Sequence, residues 1–153
     1  MTAAEVSYNY FLEKARHYCD YQERTIEEVR QKLKGWSISD AQITKIINQL
    51  ETEDLINEER FARGYALGKL RNNHWGRNKI MAGMYSKGLS ELMIQIGLSE
   101  IDDEEYLDIL RKVLEHKKIN EKDPFKYRMK LAQYAYQKGF QNKLIWEVIN
   151  EME

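Results

Sequence analysis

The stretch RNKIMAGMYSKGLSELMIQIGLSEI, residues 77–101, places apolar side chains at Ile80, Met84, Leu89, Ile94, Leu98 and Ile101, with Gly88 directly before the third. Moving back by 51 residues gives IEEVRQKLKGWSISDAQITKIINQL, where Val29, Leu33, Ile38, Ile43, Ile47 and Leu50 fall in the same six places. Moving forward by 51 gives RMKLAQYAYQKGFQNKLIWEVINEM, with Leu131, Ala135, Phe140, Ile145, Ile149 and Met152. Spacings of three and four on each side of the stop are those of one helix face, so the pattern reads helix, turn, helix. Ser37, Gly88 and Gly139 align where the first of these helices needs a small or left-handed stop. A unit that cannot bury its apolar face alone must stack on its neighbours.

Upstream of each pair a further helix completes the unit. Tyr8, Phe11, Leu12, Ala15, Tyr18 and Cys19 define one over roughly residues 3 to 20. Asn57 caps the next, which runs through RFARGYALGKLRNN, and Asp102 with Glu105 starts the third. Capping boxes at Thr25 with Glu28 and at Ser39 with Gln42, and Asp123 followed by Pro124, mark other helix starts. The expectation is an all-α chain of about nine helices, a tandem array of three three-helix repeats forming an elongated curved rod, divided at 1–54, 55–101 and 102–153. Ala62, Gly64, Ala66 and Gly68 form a small-residue strip expected to admit a neighbouring helix, since interior glycines otherwise cost about 1 kcal/mol each.

The single proline, Pro124, suits such a chain. One cysteine, Cys19, excludes an internal disulfide, and the first residues lack the basic start and apolar run of an export signal, so a cytoplasmic protein is expected. The apolar runs are too short for a membrane span. His17, His74 and His116 lie in different units without metal-ligand spacing, and no nucleophile–base grouping, carboxylate pair or phosphate-cradling loop stands out. No catalysis, metal or cofactor is expected. An array of three units closes its own core, which points to a monomer.

The net charge of −1 conceals segregation. Arg60, Arg63, Lys69, Arg71, Arg77, Lys79 and Lys87 are the seven basic residues of a segment, 60–90, that holds no acid. Glu100, Asp102, Asp103, Glu104, Glu105 and Asp108 follow it, and residues 117–143 turn basic again. With Trp75 set in RNNHWGRNK, the first segment forms a candidate cationic stripe for phosphates or an acidic groove. A solvated face balancing the acidic cluster is the competing reading, and packing beneath a loop competes for Trp75.

At the junction stand Leu55, Ile56, Asn57, Glu59, Arg60, Phe61 and Ala62, and Trp75-Gly76-Arg77, Lys79-Ile80 and Lys87-Gly88-Leu89 continue the pattern. This resembles the RecX family, regulators of the bacterial RecA recombinase, along essentially the whole chain. Gly35-Trp36-Ser37 departs from it, standing where a lysine-glycine stop is usual. The resemblance implies tandem three-helix units and a non-enzymatic modulator. Such a protein lies along the groove of the RecA filament on single-stranded DNA and usually inhibits strand exchange, ATP hydrolysis and repressor cleavage. Whether it also touches single- or double-stranded DNA stays open. Two alternatives are a helix-turn-helix DNA binder, whose reading helices are here poor in cations, and a helical protein adaptor unrelated to RecA.

Overall fold

The computed structural model describes residues 1–153, and the chain is helical throughout. Nine helices run in order: α1 (Ala3–Tyr21), α2 (Ile26–Lys34), α3 (Asp40–Thr52), α4 (Glu58–Asn73), α5 (Arg77–Ser86), α6 (Glu91–Ser99), α7 (Asp103–His116), α8 (Pro124–Gln137) and α9 (Asn142–Glu151). They group in threes. In each group the second and third helices are the pair written by the repeat, and the first packs across them.

The apolar columns do what their spacing requires. All of Val29, Ile80, Leu131, Leu33, Met84, Ala135, Ile43, Ile94 and Ile145 are buried, whereas Met152, in the last turn, stays 42% exposed. Between the paired helices, Ser37, Gly88 and Gly139 all adopt left-handed backbone, with φ of 58°, 81° and 99°. Leu89 and Phe140 then return their N–H groups to the carbonyls of Met84 and Ala135. This closes the helix C-terminus and turns the chain into the next helix. Thr25 and Glu28 make both arms of a capping box, while Ser39 only accepts from the Gln42 N–H, at 3.2 Å. Asn57, Asp102 and Asp123 each accept from the N–H three residues on.

The small-residue strip on α4 is only half right. Ala62 and Ala66 are fully buried, but a Cβ on Gly64 would meet nothing within 4 Å, and one on Gly68 would reach only the Asn72 side chain. At 100° per residue, Gly64 sits about 200° around the helix from Ala62, so it faces away from the neighbour. The close approach comes instead from Gly97 on α6, where a Cβ would press on the carbonyl and side chain of Ala62.

The cores do not divide three ways. Leu12, Ala15, Cys19, Val29, Leu33, Ile43, Ile46, Ile47, Leu50 and Ile56 form one cluster within the first unit. Ile56 belongs to it although it lies in the linker after α3. The second and third units share a single cluster of 20 buried residues that runs from Phe61 to Ile149. No hydrogen bond or ion pair joins the first unit to the third. The accessible surface is 9368 Å², against about 8,100 Å² for a compact chain of this mass, as a tandem array requires. No helix is long and apolar enough to cross a membrane.

Candidate nucleic-acid interface

The eight candidate residues lie on or beside two helices, and the structure separates them by side-chain type. Arg60, Arg63, Lys69 and Arg71 stand on α4, Trp75 in the turn after it, Arg77 and Lys79 in the first turn of α5, and Lys87 at its C-terminus. The arginines are struts. Arg60 reaches Glu23 at 2.6 Å and Asp54 at 3.1 Å; Arg63 reaches Glu59 and Glu100; Arg71 chelates Glu105; Arg77 meets Asp103 at 2.6 Å. Lys87 faces Glu28 at 3.6 Å. Hydrogen bonding to these carboxylates raises the pKa of Arg60, Arg63 and Arg71, and Arg71 in turn holds the Glu105 carboxyl below its usual range. A planar fork suits bidentate carboxylate contacts that fix one element to another.

The lysines behave differently. Lys69 and Lys79 make no ion pair; their ammonium groups lie 4.9 and 4.6 Å from the centre of the half-buried Trp75 ring. The sequence places Arg71 and Arg77 beside Trp75, but both turn away to α7. Lys138, at the C-terminus of α8, approaches the end of α4 from the third unit. Its ammonium donates to the Asn73 carbonyl at 3.1 Å and lies 5.9 Å from the Tyr134 ring, over which Lys117 also sits at 4.3 Å. Burial lowers the Lys138 pKa, and the charge of Lys79 lowers it further.

The backbone adds to this field. Gly76 offers α5 no side-chain cap, so three amides at its positive end look outward. The third unit fills them: the Lys138 carbonyl accepts from Gly76 at 2.8 Å, the Gly139 carbonyl from Asn78 at 3.0 Å, and the Tyr106 hydroxyl from Arg77 at 2.9 Å. A Cβ on Gly76 would overlap the Gly139 backbone. Helix ends that each leave orphan groups thus satisfy one another across the seam. Sequence reasoning missed Lys138, Tyr134 and Lys117, which sit in the second basic run more than 40 positions from Trp75. The one local signal was Lys138-Gly139, aligned with Lys87-Gly88.

Fold and surface together define a helical-repeat protein, three three-helix units offering an extended surface with segregated charge. Three family models, described as RecX, first, second and third three-helix domain, match residues 12–50, 57–98 and 103–149 in that order. The chain belongs to the RecX family. It is 34% identical over 121 residues to a regulatory protein RecX of Clostridium perfringens, covering 76% of this chain and 56% of that one. A regulatory protein RecX of Clostridium acetobutylicum is 29% identical over 97% of this chain and 71% of its own. The chain thus spans little more than half the length of the first of these relatives. The crystal structure of RecX from Lactobacillus salivarius superposes with a TM-score of 0.84 at 25% identity, covering 94% of this chain and 95% of that one.

Proposed function

We propose that this protein is a non-enzymatic regulator of the RecA recombinase. It lies along the helical groove of the RecA filament on single-stranded DNA and inhibits strand exchange, ATP hydrolysis and repressor cleavage. The observation that carries the reading is the series of three modules of one regulatory family, in one chain, with separately cored parts and an extended surface. Such an array touches several protomers of a polymer at once, so individually weak contacts act at high effective concentration. Occupying a groove excludes a second strand by volume alone.

The test is to add the protein to its host's recombinase during strand exchange and ATP hydrolysis on single-stranded DNA. Both rates fall at or below one protein per recombinase protomer. Unchanged rates at equimolar protein contradict the reading and leave a helical adaptor in its place.

A further inference from the structure

At the junction of the second and third units, four lysines and two rings line the surface in the order Lys69, Trp75, Lys79, Lys138, Tyr134, Lys117, each ring between two lysines, contributed by α4, α5, α7 and α8 and their flanking turns. We propose that this row is a binding site for a single strand of nucleic acid, with unpaired bases on Trp75 and Tyr134 and phosphates on the four lysines. The site exists only where two units meet. It deepens the filament reading, on which it rests for the biological source of the strand.

Three features favour this ligand. The four lysines make no ion pair, although the chain holds 25 carboxylates and each arginine from Arg60 to Arg77 has found one. Their charge is therefore uncompensated by any carboxylate within the protein. In the free protein the ammonium groups fold over the rings, a weak attraction at exposed sites. Long flexible stems let them pass to phosphates as a base takes the ring face. Two flat faces, each between a pair of lysines, suit the stacked bases and flanking phosphates of a single strand. A duplex hides its base faces, and an acidic peptide would satisfy the lysines but leave the rings without partners.

The experiment uses the whole protein without recombinase. Fluorescently labelled dT and U oligonucleotides of about 15 nucleotides are titrated by anisotropy across a salt series, with a duplex of the same length and polyglutamate as controls. The single strands bind more tightly than both controls. The affinity falls with salt at a log–log slope near about −2.8 for four phosphates, and the DNA and RNA arms identify the strand. Lys79→Ala with Lys117→Ala, both at exposed positions, makes the slope shallower by about 1.4. Trp75→Ala weakens binding by about fivefold or more, and the lysine pair keeps the test open if this variant misfolds. No binding of either strand at low salt, equal binding of polyglutamate, or lysine variants with the wild-type slope overturns the site. Failure here with inhibition of strand exchange intact removes the site and leaves the filament reading standing.

Discussion

The seam between the first two units and the seam between the last two occupy the same place in the repeat, yet they are made of different material. In both, the left-handed glycine of one unit rests on the first turn of the preceding unit's middle helix: Gly88 against Glu27, and Gly139 against Gly76 and Lys79. At the first seam that turn is already satisfied by the Thr25–Glu28 capping box. What crosses is side-chain charge: Arg60 to Glu23 and Lys87 to Glu28, with the Glu58 carboxyl, its pKa raised chiefly by burial, beside the Ile26 backbone. At the second, Gly76 has no side chain to cap with, backbone meets backbone, and the core continues across. The same repeat position holds threonine at the polar seam and glycine at the fused one. The molecule is a body made of the second and third units, carrying the first unit on polar links.

The largest expected effect comes from breaking the fusion. Gly76→Ala drives a methyl into the Gly139 backbone and parts the two backbone hydrogen bonds between the units, so the 57–153 body loses about 3 kcal/mol in denaturant unfolding. The first unit's transition stays where it was. Tyr106→Phe keeps the ring against Phe140 but strips the Arg77 N–H and the Gln141 side chain of a partner. It costs about 1–2 kcal/mol in the same body. Arg60→Ala with Lys87→Ala cuts the first seam and costs about 1 kcal/mol or less, because these pairs are exposed and screened by salt. It broadens the distance distribution between dyes on the first and third units, a broadening that high salt reproduces in the wild type.

The smallest effect sharpens the contrast through pH. Within the first unit, Arg16 and Gln49 hold the Glu53 carboxyl down at about 2. A folded pKa below the unfolded value of about 4.3 stabilises fully above that value. The contribution is then lost as pH falls toward 2. Glu105 responds in the same direction in the other body, so Glu53→Gln isolates the term: the first unit's melting temperature becomes flatter between pH 4.5 and 2 in this variant, read by thermal scans.

Much of the fold was legible because it is periodic. Columns such as Val29, Ile80 and Leu131 and the stops at Ser37, Gly88 and Gly139 state the helices, their turns and their number. The unequal seams were not legible, since Thr25 and Gly76 both read as ordinary helix starts and only the packed structure shows what fills the amides behind Gly76. For the same reason Gly64 and Gly68 misled while Gly97 went unread: a glycine's neighbour lies on another helix. The candidate surface was half visible. Trp75, Lys69 and Lys79 lie within one segment, but the partition of arginines into struts and lysines into an open row depends on carboxylates and rings brought in from α7 and α8.

Hydrogen exchange by mass spectrometry, peptide by peptide under native conditions, tests the central claim most directly. Core amides of α1–α3 exchange through an opening of lower free energy than those of α4–α9, and the second and third units share one value. Equal protection across all three units, or separate values for the second and third, would contradict it.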